Sequence, residues 1–387
     1  MMWFIIMKVT GSSSFSKRAN IEISNDTKWA LRELVECLSR LGYSEYISSF
    51  IPFELPAMWN KWGAYRKKAP NKLYRLLDLF LLNQAVPPEM IKELPSDLIE
   101  LLCNLGVMRR TRSGWLRMCD LILIRLYGNW LFVQPPQTNP KIYYGDDSVA
   151  LLTRLQPKRK GKCLDLCAGA GIQSLYCSLF ASHTVAVEIN PEAAKVAQLN
   201  VLMNDREDSV MVCCGDLYEP VAGEVFDTVV CNPPFIPFPE NMPYPFVGHG
   251  GADGLRVIRH ILNGLPSVLA SGGTAQLIGT CLSDGTRPFI VDELKGWAES
   301  MNMDILMTVT SHKSLAPHSL FFRRIVWSSA IGMKIPFHVV KAEYERMLIK
   351  QGASHLCAYF LYITKGIGHF ALQDLSMNSK RYIWFVG

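Results

Sequence analysis

Phe226-Asp-Thr-Val-Val-Cys-Asn-Pro-Pro-Phe235 is an apolar run that enters an Asn-Pro-Pro-aromatic turn. Phe226–Cys231 has the length and the β-branched content of a buried strand. The two prolines cannot continue a ladder, so the strand must stop at Asn232. The Asn232 side-chain oxygen and the Pro233 carbonyl are both acceptors, and together they suit the two hydrogens of one NH2 group. An amide or nucleobase nitrogen is planar, with its lone pair delocalised. Two fixed acceptors draw it toward a pyramidal geometry and free the lone pair for attack. The prolines stiffen the turn, and Phe235 offers a π-face to a flat group. Alone, such a tetrapeptide is an ordinary strand exit, so its neighbours decide the reading.

Working outward, strand and helix alternate from about residue 143. Cys163–Cys167, Thr184–Val187, Val210–Cys213 and Thr274–Thr280 read as strands, and Ile172–Phe180, Glu192–Met203 and Gly254–Leu269 as helices. That alternation predicts a parallel sheet with helices on both faces. Three motifs fall at successive strand ends. Gly161-Lys-Cys-Leu-Asp-Leu-Cys-Ala-Gly-Ala-Gly171 puts Asp165 at the end of a strand and a Gly-rich turn before a helix, where backbone approaches a ligand closely. Glu188 ends the next strand, placed to accept from ribose hydroxyls. Asp216, in Cys214-Gly-Asp-Leu217, closes a third, placed to accept from an adenine amino group. Any one of these acids alone is more often a turn or cap residue.

With Asn232-Pro-Pro-Phe235, the set resembles the class I S-adenosylmethionine-dependent methyltransferases. More narrowly, it is similar to the Asn-Pro-Pro-aromatic branch, which includes adenine-N6 methyltransferases of nucleic acids and glutamine methyltransferases of release factors. The resemblance covers roughly residues 143–310. It implies a Rossmann-like, seven-stranded α/β sheet and S-adenosylmethionine as cofactor. It further implies Asp165, Gly169 and Gly171 on the methionine part, Glu188 on the ribose and Asp216 near adenine, with Cys167, Ala168, Ile189, Leu217 and Asn232 also among the cofactor-binding residues. Asn232, Pro233, Pro234 and Phe235 are then the catalytic turn. Tyr143-Tyr-Gly-Asp-Asp-Ser148 resembles the family segment that closes over the cofactor, and Phe246–Leu255 a Gly-Gly-x-Asp-Gly-Leu stretch of the glutamine methyltransferases. His249 is left as a structural loop residue.

The chain divides into a polar tail (1–25), a small helical, winged-helix-like domain (26–140) and the methyltransferase domain with a C-terminal extension (141–387). In the second part, a helix opens at Asp26 or Thr27 and stops at Gly42, another holds Leu73–Leu81, and Ser96 caps a third. A hairpin turns at Ser113-Gly114, and Leu121–Val133 reads as a strand. The extension predicts a helix over Val340–Lys350 and a last strand over His355–Thr364. Net charge is +6, and residues 1–145 hold 19 Lys and Arg against 12 Asp and Glu. The basic and aromatic residues of Trp59–Lys68 and the hairpin arginines Arg109, Arg110, Arg112 and Arg117 suit a polyanion or a plain soluble surface.

Hydrophobic residues make up 49% of the chain, enough for a sizeable core and against a disordered chain. The eleven cysteines include no C-x-x-C pair and read as buried free thiols of a cytoplasmic protein, with no metal. No run is long enough for a membrane span, and Met1–Met7 does not read as a secretory signal. The methyl acceptor stays open: an RNA adenine, a protein amide, or a small-molecule or peptide metabolite. A module that binds cofactor without catalysis would leave the intact Asn232–Phe235 turn unused. An NAD-dependent dehydrogenase would need a catalytic His or Tyr-Lys pair that does not accompany the Gly-rich turn. Oligomeric state is not readable.

Overall fold

Ser24 opens the first helix, its hydroxyl accepting the Thr27 N–H at 3.1 Å, and Gly42 in the left-handed region closes it. The computed structural model describes residues 24–50, 52, 61–138, 140–243, 247–378 and 382–385. Most of the expected tail, Trp59 and Phe246 lie outside these. Helices α1 (Asn25–Leu41), α2 (Tyr43–Ser48), α3 (Trp62–Lys68), α4 (Tyr74–Phe80) and α5 (Ser96–Asn104) come first. The Ser96 side chain is not the cap; that position falls to Pro95, and Ser96 is the first helical residue. Strands β1 (Met108–Arg110) and β2 (Leu116–Met118) form the expected hairpin. Leu121–Val133 is not one strand but a second hairpin, β3 (Ile122–Leu126) and β4 (Asn129–Val133), because Tyr127-Gly128, both at positive φ, turn the chain.

Next come α6 (Asp146–Leu152), β5 (Lys162–Leu166), α7 (Ile172–Cys177), β6 (His183–Glu188), α8 (Pro191–Met203), β7 (Val210–Cys214) and β8 (Phe226–Cys231). Then follow α9 (Arg256–Val268), β9 (Leu269–Ser283), α10 (Val291–Met301), β10 (Met303–Ser314), α11 (Leu320–Met333), α12 (Phe337–Gln351), β11 (His355–Lys365) and β12 (Phe370–Asp374). The sheet runs β12-β10-β11-β9-β8-β5-β6-β7. Strands β5 to β9 are parallel, and β11 is antiparallel to both its neighbours. The sheet is Rossmann-like, but it has eight strands, not seven, and His355–Lys365 is not the last. The Asp304 carboxylate gathers the N–H groups of Ile367, Gly368 and His369 at 2.9–3.1 Å, and this turn lays β12 parallel to β10.

One face of the sheet is covered by α9 and α10. On the other, the apolar residues of the N-terminal third, such as Leu31, Leu34, Phe80 and Phe132, are continuous with those of α7 and α8. Two asparagines one helical turn apart, Asn200 on α8 and Asn204 at its C-cap, make the join. Asn200 accepts from Phe132 N at 2.7 Å and donates to Phe132 O at 2.9 Å; Asn204 does the same to Trp130 at 2.8 and 2.7 Å. They pair the outer edge of β4 as a strand would, which keeps that edge from being left unsatisfied. The extension holds α11 as well as the expected helix, and the two pack as a hairpin against Phe238, Leu282 and Leu356. No helix among the described residues is long and apolar enough to cross a membrane.

Candidate functional site

Strands β5 and β8 are neighbours, yet the chain leaves them toward opposite sides of the sheet, β5 to β6 and β8 to β9. The crevice beyond their C-terminal ends is where open α/β sheets bind ligands. There the turns after β5, β6 and β8 surround a cavity of about 270 Å³. Of the expected residues, Cys167, Ala168, Gly169, Glu188, Ile189, Asn232, Pro233, Pro234 and Phe235 line it.

The Gly-rich turn is built by backbone conformation. Gly169 and Gly171 have φ of +56° and +79°, and a Cβ on Gly169 would meet nothing within 4 Å, so that backbone faces open space. Gly171 has the packing role instead: a Cβ there would lie 3.3 Å from Ala197 Cβ on α8. Asp165 does not reach the cavity. The strand continues to Leu166, and Asp165 turns into the protein, where its carboxylate takes the Ser174 hydroxyl. Burial raises its pKa to about 7, against the Ser174 hydrogen bonds. Asp216 and Leu217 also lie off the lining. Strand β7 stops at Cys214, the chain folds back with Pro220 packed on Gly215, and Asp216 is left exposed.

Glu188 is buried at the end of β6. Its Oε2 accepts from Gly169 N at 2.7 Å and its Oε1 from Asn190 N at 2.8 Å. Burial pushes its pKa up, and these backbone bonds pull against that. Each oxygen keeps a further lone pair for a ligand hydroxyl.

Asn232 is the most constrained residue of the site. Its Nδ2 donates to Asp147 Oδ2 at 2.7 Å and to Ser148 Oγ at 3.3 Å. Its Oδ1 is buried without a hydrogen-bond partner. An ionised carboxylate only accepts, so Asp147 fixes which end of the amide faces it and leaves the oxygen free. Tyr143 donates to the other Asp147 oxygen at 2.6 Å. Burial raises the Asp147 pKa, while the bonds from Tyr143 and Asn232 lower it.

Phe235 is held from behind. Trp384 meets it edge-on, with centroids 5.5 Å apart at 66°, and Thr280 donates to its carbonyl at 2.8 Å. The short C-terminal stretch carrying Trp384 is well anchored. Thr310 and Ser311 hydroxyls both donate to Ile383 O at 2.8 Å, and Arg154 donates to Trp384 O at 3.0 Å. The Trp384 side chain also hydrogen-bonds Asp146, whose pKa burial and neighbouring Asp147 still raise to about 6. Asp147 and Trp384 are residues that sequence reading did not single out. Asp147 sat in a recognised segment, but its partner is 85 positions away. Nothing in the chain around Trp384 signals its contact. His249 accepts from Gly251 N at 3.0 Å, as a loop-holding residue does.

A family profile described as methyltransferase small domain matches residues 144–280. A Methanocaldococcus jannaschii protein, provisionally named a protein N5-glutamine methyltransferase, is 32% identical over 151 residues, covering 38% of this chain and 75% of that one. The chain is a member of this methyltransferase family. A ribosomal protein uL3 glutamine methyltransferase of Bordetella pertussis is 29% identical over 142 residues, 34% of this chain and 47% of that one. A release factor glutamine methyltransferase of Clostridium acetobutylicum is 34% identical over 137 residues, 32% of this chain and 48% of that one. In both bacterial relatives the match spans about half their length. This methyltransferase depends on S-adenosylmethionine, and the cavity suits it: a buried carboxylate at Glu188, open space at Gly169, and an unpartnered acceptor at Asn232.

Proposed function

We propose that this methyltransferase acts on the side-chain amide nitrogen of a glutamine in a protein. The observation that carries this is the Asn232 oxygen, buried and unpartnered on a residue that lines the cavity, while its own NH2 is locked on Asp147. An acceptor amide supplies the N–H donor which that oxygen lacks. Pro233 O takes the second hydrogen, Pro234 stiffens the turn, and Phe235 covers the amide plane. With both hydrogens bound, the nitrogen lone pair is turned out of the amide plane.

In this reading Cys167, Ala168, Gly169, Glu188 and Ile189 hold the cofactor, with Glu188 taking the ribose hydroxyls. Asp165 and Gly171 shape the turn from behind. The cofactor supplies a methyl group already activated on a sulfonium, so the protein needs no metal and little acid-base help. Residues 26–140 act as the domain beside the entrance, because Gln137, Thr138 and Pro140 at its end line the cavity. The glutamine methyltransferase names of the relatives support the amide over an adenine amino group. We place the protein in the cytoplasm, in keeping with seven buried free thiols.

The test is transfer of labelled methyl groups into fractionated extract from cells lacking the protein. Label recovered as N5-methylglutamine after complete proteolysis is the expected result. Label confined to RNA or to small molecules overturns the reading.

A further inference from the structure

The acceptor must leave the cavity past its rim, and one rim residue is Ser328, an exposed residue of α11. Helix α11 also approaches a second lining residue: a Cβ on Gly332 would lie 3.2 Å from the carbonyl of Thr138. On the face that carries Ser328, at helical spacing, stand Leu320, Arg324, Trp327 and Ile331. Leu320, Trp327 and Ile331 are 71%, 50% and 57% exposed, Trp327 resting one side of its ring on Phe337 of α12. Such an apolar row on a surface helix asks for a partner. The inner face of α11 is already spent on Phe322, Val326 and Ala330 in the core.

Charge says what kind of partner. No Asp or Glu occurs between Asp304 and Glu343, a stretch holding Lys313, Arg323, Arg324, Lys334 and Lys341. Lys341 is paired with Glu345, whereas Arg323 and Arg324 have no ion pair among the described residues. Several basic residues of the N-terminal third are instead bound internally. Arg66 and Arg75 bind Asp78, Arg110 binds Glu100, Arg117 binds Asn83, Lys28 binds Glu207 and Arg32 binds Asp205. Of the cations close to the cavity, Lys141 in its lining is paired with Glu192, whereas Arg323 and Arg324 stand unpaired on the helix that carries Ser328.

We propose that α11 is the docking ledge for the polypeptide flanking the acceptor glutamine, and that this polypeptide is acidic with apolar residues among its acids. This rests on the glutamine reading above. Apolar side chains of the partner lie on Leu320, Trp327 and Ile331, and its carboxylates meet Arg323 and Arg324. A nucleic acid would use the arginines and the indole but leave Leu320 and Ile331 without a counterpart. The mixture of apolar and cationic side chains therefore favours protein.

The experiment uses the full chain with S-adenosylhomocysteine and three fluorescent probes read by anisotropy. One is a short peptide with a glutamine between leucines and flanking glutamates, the second has lysines for the glutamates, and the third is an oligouridylate of matching charge. The acidic peptide is expected to bind tightest, with affinity falling as salt rises. The double variant R323E/R324E should weaken it on the order of tenfold or more and narrow the preference over the lysine peptide. Trp327→Ala should weaken it severalfold at unchanged melting temperature. Equal binding of the acidic peptide by wild type and R323E/R324E overturns the proposal, and so does tighter binding of the oligouridylate. Replacing the peptide's glutamine by alanine separates the two readings. Retained, arginine-dependent binding supports the ledge even where methyl transfer to glutamine fails.

Discussion

Asp147 and Asn232 meet carboxylate to amide at 2.7 Å, and this contact sets the direction of the Asn232 oxygen. An asparagine at position 147 presents either a donor or an acceptor, so it removes that control at nearly constant volume. Asp147→Asn is expected to lower single-turnover methyl transfer by about 10- to 100-fold, and Asn232→Ala by on the order of 10²-fold or more. Calorimetry should show cofactor affinity little changed in Asp147→Asn. Wild-type turnover in Asn232→Ala would remove nitrogen activation by this residue from the mechanism.

Glu188 holds two backbone N–H groups and faces the cavity with what remains of its acceptor capacity. Glu188→Ala should weaken S-adenosylmethionine binding by about 1–3 kcal/mol, measured by titration calorimetry. Glu188→Gln keeps one acceptor and should fall between the two.

Asp165 gives a pH signature unrelated to ligand binding. Its folded pKa of about 7 lies above that of an unfolded chain, near 3.9. The native state thus favours the neutral acid. The stability this contributes is full below about pH 4 and is lost progressively as pH rises to about 7. Asp165→Asn keeps an acceptor for Ser174 and cannot ionise. Its melting temperature should vary less than wild type between pH 4 and 7 and exceed wild type at pH 8.

Asn200 satisfies both backbone groups of Phe132 and also donates to Ala170 O at 2.9 Å, inside the Gly-rich turn. Asn200→Ala leaves these buried groups unpaired and should destabilise the fold by roughly 2–4 kcal/mol in urea denaturation. Because Ala170 sits in the turn, cofactor affinity should fall too. Asn204→Ala, which lacks the bond to Ala170, should lose stability with less effect on binding.

The parallel strands were legible because their apolar runs end in Gly, acid or Pro residues that cannot extend them. What sequence could not resolve is which way a side chain leaves a strand end. Asp165 and Gly169 stand four residues apart in one motif, yet one is buried against Ser174 and the other opens on the cavity. Helix α11 escaped notice because its outer row of Leu320, Trp327 and Ile331 blurs the amphipathic period. Strand β12 is exposed nearly throughout and carries no apolar alternation. The unpartnered oxygen of Asn232 depends on Asp147, and a contact across 85 positions leaves no local trace.

The asparagine pairing on β4 also bears on synthesis. Residues 129–133 emerge from the ribosome well before their partners, which lie 68 and 74 positions later. Until α8 is made, the nascent N-terminal third carries an open, apolar strand edge, and during that interval intermolecular strand pairing competes with folding. Truncation before α8 therefore yields an aggregation-prone fragment instead of a smaller stable protein.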